Sequence, residues 1–223
     1  MKRLTKLCNR YGSDKGTVGN DSHGFSEFYE QFFEGLEHPK ILELGVRTGA
    51  FEKAISDFYD GDCDIYCVDI DNECKKYVEG YDNIAFFQCD CGNEDAIKEL
   101  IEKFGDIEFD VVIDDASHYW PHQFLSLLYF RRKVKDGGIF IMEDLHSSYE
   151  NEYSAGIEVN GTPLAFISVL TKSTFYSEEE NIEILTSIKE SFLYTRYNPK
   201  GLYGKDYYKR SVTAVLKIDK HGA

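Results

Sequence analysis

Proline is scarce, with 4 in 223 residues, so no Pro-rich linker divides the chain. Apolar runs are short. None reaches the ~18 residues of a membrane-spanning helix. The opening stretch, MKRLTKLCNRYGSDKG, lacks the apolar segment of a signal peptide, and the expected location is cytoplasmic. Basic charge is also in deficit: 25 Lys and Arg face 40 Asp and Glu, a net charge of −15. Such a chain repels nucleic acid and anionic membrane surfaces, and its Lys and Arg are too scattered to form a local patch. Neither nucleic acid nor membrane is expected as a partner. Zinc-type cysteine pairs are missing too. The cysteines are Cys8, Cys63, Cys67, Cys74, Cys89 and Cys91. The closest pairs, Cys63/Cys67 and Cys89/Cys91, have neither zinc-site spacing nor matching partners. Cys67 reads as a small core residue, and the others as reduced thiols.

What remains is a core-forming composition. Hydrophobic residues make up 42% of the chain, aromatics 15% and charged residues 29%, which excludes disorder. At ~150 residues per domain, the length suits one decorated domain over 1–223. Its expected parts are an N-terminal lid and helix (1–36), a central core (37–146), and C-terminal helices with a hairpin (147–223).

Short apolar runs alternate with amphipathic stretches. Strands are expected at 40–44 (KILEL), 64–69 (DIYCVD), 84–88 (IAFFQ), 109–113 (FDVVI) and 139–143 (IFIME). Helical spacing covers 25–36, 50–59, 72–79, 93–104 and 120–134, with Asn93 as an N-cap and Pro121 in a first turn. Asp136-Gly137-Gly138 reads as a turn. Further helices are expected at 163–175 and 178–189. Two strand-like segments, 191–197 and 212–219, read as an edge hairpin joined by a loop rich in Gly, Tyr and Lys. The alternation implies an α/β fold: a doubly wound, mostly parallel seven-stranded Rossmann-like sheet with a C-terminal antiparallel hairpin. In such a sheet the functional turns lie at the carboxyl edge.

Five turns carry chemistry. Glu43-Leu44-Gly45-Val46-Arg47-Thr48-Gly49 follows a strand and opens a helix. Gly45 and Gly49 let backbone approach a ligand, but Val46 and Arg47 stand where a dinucleotide fingerprint needs glycine. The pattern resembles the first motif of class I S-adenosylmethionine-dependent methyltransferases. An ordinary strand–helix turn is the alternative. Asp69 ends strand two, where a carboxylate can accept both ribose hydroxyls of an adenosyl group. Asp71 competes with it, and one of the two reads as an N-cap. Asp90, after strand three, is placed to accept from an adenine amine in that family. Ordinary turn chemistry would also place an Asp there.

Asp114-Asp115-Ala116-Ser117-His118 follows strand four, and Glu143-Asp144-Leu145-His146 follows strand five. Adjacent parallel strands bring both turns to one edge. Four carboxylates and two histidines so close together repel unless some are protonated, turned away or bound to a cation. Oxygen ligands suit Mg²⁺ or Mn²⁺ better than zinc. Alternatively, some of these carboxylates cap helices. Residues 143 and 144 point to opposite sides while the backbone is extended. Both can meet one ion only if the chain turns at once.

The run VIDDASH…HQ…GGIFIMEDLHSSY resembles the metal-dependent sugar O-methyltransferases of macrolide and polyketide biosynthesis, the mycinamicin type. Gly12-Ser13-Asp14-Lys15-Gly16, His23, Phe25 and Tyr29 resemble that family's N-terminal motif. The match spans about residues 11–149. Ala116 replaces the usual Gly, and Phe25 replaces a common Tyr. The resemblance implies Asp115, Glu143 and Asp144 as metal ligands and His118 as general base, with Asp115 also serving catalysis. It implies Glu43, Gly45, Gly49, Asp69, Asp90 and Asp114 around S-adenosylmethionine. The expected reaction is Mg²⁺-assisted methyl transfer to a hydroxyl of a sugar-like small molecule. A homo-oligomer is a further implication. His122 and His146 are weaker candidates for orienting substrate or base, and each reads first as structural. Lys15 is a candidate to meet a carboxylate, and Trp120 to wall the acceptor pocket or pack in the core. Two alternatives stand: a nicotinamide-dependent oxidoreductase on the same sheet, and a cofactor-binding domain without chemistry.

Overall fold

The computed structural model describes residues 1–19, 21–156, 161–197 and 210–220. The expected loop between the last two strands lies almost wholly outside them. Five strands run parallel: β1 (Lys40–Leu44), β2 (Asp64–Asp69), β3 (Ile84–Gln88), β4 (Phe109–Asp114) and β5 (Val134–Met142). Two more, β6 (Ile188–Tyr197) and β7 (Arg210–Ile218), pair antiparallel. The sheet order is β3-β2-β1-β4-β5-β7-β6, seven strands as expected. β1 lies between β2 and β4, so the strand order reverses there. Open α/β sheets bind ligands at that point.

Strand alternation sorts the core into two layers. On one face Leu42, Leu44, Val112 and Phe140 pack with α4 (Glu94–Phe104) and α5 (Trp120–Phe130). On the other, Ile41, Val111, Ile113 and Ile141 pack with α1 (Arg3–Tyr11), α2 (Ser26–Phe33) and α3 (Ala50–Phe58). The central strands are apolar at successive positions because both faces are covered. Full burial of one such side chain contributes roughly 2 kcal/mol.

Local chemistry sets the helix ends. The Asn93 side chain accepts from the Ala96 N–H and starts α4. Ser177 and Glu180 form a reciprocal capping box on α7 (Glu178–Ser187).

Several boundaries differ from the sequence reading. α6 covers Pro163–Val169 and stops well short of residue 175. Downstream, the buried Asn181 side chain binds the backbone of Ser173 and Tyr176, which holds that segment out of a helix. Residues Asn72–Tyr77 form a 3-10 turn capped by Asp71. Asp136-Gly137-Gly138 sits inside β5 as a bulge, because Val134 and Ile139 pair with Phe109 and Val111 on either side of it. Among the described residues, no helix is long and apolar enough to cross a membrane.

Candidate active site

The parallel ladder continues one residue past the strands. The Asp115 N–H donates to Leu44 O at 2.9 Å, and the Glu143 N–H donates to Asp114 O at 2.9 Å. Gly45, Asp115 and Glu143 therefore follow the aligned residues Leu44, Asp114 and Met142. By alternation, Glu43, Asp115 and Glu143 share the face of Ile41 and Ile113. Gly45 leaves the gap this approach needs. Its φ is +99°, and a Cβ there would collide with the Asp115 carbonyl oxygen.

Lys15 enters this carboxylate group from the N-terminal segment. It is 2% exposed. Its Nζ pairs with Asp115, lies 3.3 Å from Glu43 Oε1 and 3.4 Å from Glu143 Oε2, and sits over the Phe51 ring. Burial alone would lower its pKa, but the surrounding carboxylates outweigh this and raise it well above the usual lysine value. Burial pushes the Glu43 carboxyl up to about 7, although Lys15 opposes the shift. Glu143 is raised well above the usual carboxylate value, first by burial and then by Asp115. Its Oε1 is buried and has no hydrogen-bond partner among the described residues.

Asp144 faces a second set of partners. It adopts a left-handed backbone, φ 52°, directly after Glu143. This is the abrupt turn that strand alternation demanded. Its Oδ2 lies 3.4 Å from His118 Nε2, and its Oδ1 lies 3.5 Å from His23 Nδ1 and 3.7 Å from His146 Nδ1. Burial opposes ionisation of Asp144, yet the three imidazoles hold its carboxyl well below the usual range. His118 also has positive φ, 60°. Two non-glycine residues in this costly conformation, side by side, mark a site at which packing dictates the backbone.

Asp115, His118 and Asp144 each offer one ligand atom, and these atoms lie within 4.8 Å of one another. The set therefore fits a hard divalent cation. The unpartnered Glu143 Oε1 and the oxygen-rich donor set agree with it.

Two cavities meet here. The larger, about 830 Å³, runs from Asp14 and Lys15 past Glu43, Glu52 and Asp69 to Asp115, His118 and Asp144. The smaller, about 200 Å³, lies between Ile70, Cys89, Asp90, Cys91, Tyr119 and His122. Gly45, Asp69 and Ala116 border both.

No protein-family model matches the chain. Individual proteins do. The 8-demethyl-8-(2-methoxy-alpha-L-rhamnosyl)-tetracenomycin-C 3'-O-methyltransferase of Streptomyces olivaceus is 28% identical over 188 residues, 78% of this chain and 46% of that protein. The mycinamicin VI 2''-O-methyltransferase of Micromonospora griseorubida is 26% identical over 189 residues, 78% of this chain and 45% of that protein. The MycE methyltransferase of the mycinamycin biosynthetic pathway, solved with Mg and SAH, has a TM-score of 0.73 at 21% identity. That alignment covers 98% of this chain and 55% of MycE. The chain resembles the macrolide and polyketide sugar O-methyltransferases in sequence and in fold. It spans about half the length of the relatives it matches.

On this methyltransferase fold the expected residues separate into groups. Glu43, Gly45, Asp69, Asp115 and Asp144 line the larger cavity, and Asp90 lines the smaller. Asp69 Oδ2 accepts from the Val46 and Arg47 N–H groups at 2.9 and 3.2 Å, so it also ties down the loop after β1. Asp71 is the N-cap of the pair. Gly49 borders neither cavity. It starts α3 with φ 66° and lies against Tyr77 and Val78. Asp114 also stands away from both cavities, because alternation turns it to the opposite face. Its Oδ1 accepts from the Ala116 N–H at 3.4 Å, and burial raises its carboxyl to about 7. His122 bonds Ser117 Oγ at 2.6 Å and borders the smaller cavity, away from the Asp144 cluster. Trp120 is a core residue whose Nε1 donates to Ser147 O.

The sequence reading underrated the N-terminal segment. Lys15 meets three carboxylates. His23 reaches Asp144 while its Nδ1 bonds Ser211 Oγ at 2.9 Å. The available signal was the carboxylate cluster itself, which an internal cation such as Lys15 stabilises. Glu52 was not anticipated.

Proposed function

We propose that the chain is an S-adenosylmethionine-dependent O-methyltransferase acting on a hydroxyl of a sugar or glycosylated small molecule. The observation that carries this reading is the convergence of Asp115, His118 and Asp144 in the lining of the larger cavity, which shares Gly45, Asp69 and Ala116 with a slot of about 200 Å³. The relatives' names agree with it. Asp115 and Asp144 would hold a divalent cation, with Glu143, which stands outside the Asp115–His118–Asp144 cluster, as the third ligand the resemblance implies, and His118 is the base.

The methyl donor supplies an electrophilic sulfonium methyl, and a bound Mg²⁺ or Mn²⁺ would polarise an acceptor hydroxyl and lower its pKa. The chain's residues do the rest. The smaller slot takes the adenine, with Asp90 beside its amine, and Asp69 meets the ribose. His118 removes the hydroxyl proton as the oxygen attacks. The imidazolium so formed lies 3.4 Å from Asp144, which stabilises it. The products are a methyl ether and S-adenosylhomocysteine.

The test is Mn²⁺ binding by electron paramagnetic resonance with S-adenosylhomocysteine present, alongside a methyl-transfer assay on a rhamnosylated acceptor. Wild type should bind one equivalent, and Asp115→Asn should lose it. His118→Ala should keep Mn²⁺ and S-adenosylhomocysteine but lose turnover by about 10²-fold or more. Loss of Mn²⁺ in His118→Ala would make the imidazole a ligand. Unimpaired turnover would remove it from the mechanism.

A further inference from the structure

Glu52 is a buried carboxyl that neither the fold nor the mechanism above accounts for. It sits in the first turn of α3, is 1% exposed, and borders the larger cavity. Neither of its oxygens has a hydrogen-bond partner among the described residues. Burial raises its pKa well above the usual value, and neighbouring Glu43 raises it further. Lys15 cannot serve it fully, because its Nζ is already engaged by Asp115, Glu43 and Glu143. An apolar residue would fill this place at lower cost. A carboxyl kept there implies that a cation arrives.

The shape of the cavities identifies that cation. The smaller slot is walled by Val68, Ile70, Cys89, Cys91 and Ala116, which suits a flat heteroaromatic ring. Among the described residues, Gly45, Asp69 and Ala116 line both this slot and the larger cavity. A ligand with its ring in the slot therefore runs past Gly45 toward the start of α3. In an adenosyl amino acid, that far end carries an α-carboxylate and an α-ammonium, and only the ammonium, with three N–H donors, is attracted to a carboxylate. We propose that Glu52 binds the α-ammonium group of the methyl donor and so selects adenosyl ligands that carry an amino-acid end. The proposal rests on the donor reading given above.

Calorimetric titration of wild type, Glu52→Gln and Glu52→Met with two ligands tests it. S-adenosylhomocysteine carries the ammonium. 5'-Methylthioadenosine keeps the adenosyl thioether and lacks the amino-acid end. Both variants should bind S-adenosylhomocysteine about tenfold or more weakly, the range for a hydrogen bond to a charged group, and 5'-methylthioadenosine within about twofold of wild type. Ligand-free, both should melt at or above the wild-type temperature, since the unpaired carboxyl is gone. Unchanged S-adenosylhomocysteine affinity would overturn the proposal. So would parallel loss of both ligands in both variants, which would make Glu52 structural. Wild-type protein that binds neither ligand would remove the donor reading itself.

Discussion

Lys15 is the internal cation of the candidate site, and Lys15→Met removes that charge while keeping most of its volume. The consequences follow from the geometry. Nζ stands 3.3 Å from Glu43 and 3.4 Å from Glu143, and it also pairs with Asp115. At an effective dielectric of ~20, each such contact is worth about 5 kcal/mol of gross attraction, much of it spent on desolvating the ammonium. Removing one member of a buried ion cluster costs about 3–5 kcal/mol net, because the partners are left charged and dry. The loss should depend on pH. Burial already holds Glu43 at about 7 with Lys15 in place, and losing the cation raises it further. Near pH 5.5 the orphaned carboxyls bind protons, and the variant recovers roughly half of its deficit. Urea unfolding of wild type and variant near pH 8 and near pH 5.5 measures this. For a chain of this size, the melting temperature near pH 8 should fall by about 10 °C. A variant within ~1 kcal/mol of wild type near pH 8 would refute the reasoning. So would a larger deficit near pH 5.5.

Gly45→Ala should cost about 3 kcal/mol or more, because φ is +99° and the added Cβ meets the Asp115 carbonyl; S-adenosylhomocysteine binding should fall with it. Calorimetry and thermal unfolding together check this, and a variant with native binding would show that the loop can shift. The ligand-free, metal-free protein should be more stable near pH 5.5 than near pH 8. Glu43 and Asp114 ionise at about 7 when folded, against ordinary values of 4.5 and 3.8. Between these limits the folded state holds protons that the unfolded chain has released, so stability falls as pH rises through the window. Asp144 is shifted downward, and its contribution is lost only on acidification below that window. A melting temperature that rises steadily from about pH 5.5 to pH 8 would contradict the assignment. Finally, Trp120→Phe should cost about 1 kcal/mol through the lost hydrogen bond to Ser147 O, with Mn²⁺ binding intact. Loss of Mn²⁺ binding would place Trp120 in the site after all.

Much of the site was legible because it lies at strand ends. Asp69, Asp90, Asp115 and Glu143 each follow an apolar run, and a parallel sheet carries all such turns to one edge. Alternation could have gone further. Counting from Ile41 and Ile113 places Glu43, Asp115 and Glu143 on one face and Asp114 on the other. Where the sequence reading overreached, a side chain answered to distant partners. The expected helix at 163–175 ends at Val169, where Leu170 turns left-handed, and Asn181 captures the backbone beyond it at Ser173 and Tyr176. Gly49 reads as a ligand-facing glycine, but it lies against Tyr77 and Val78.

Residue patterning along the chain was enough to read the architecture, the edge on which the chemistry gathers, and the residue types that gather there. Period-two and helical patterns are local properties, and each short segment carries its own. Tertiary structure decided which carboxylates share a cation. Lys15 stands 100 residues from Asp115, and nothing local links them. Their meeting depends on the N-terminal segment folding across the sheet edge, and on Gly45 leaving room beneath it. It likewise decided that Asp144 turns toward three histidines and that Glu52 has no hydrogen-bond partner among the described residues. Buried electrostatics follow from the company a group keeps in three dimensions, and that company is set only when the chain closes.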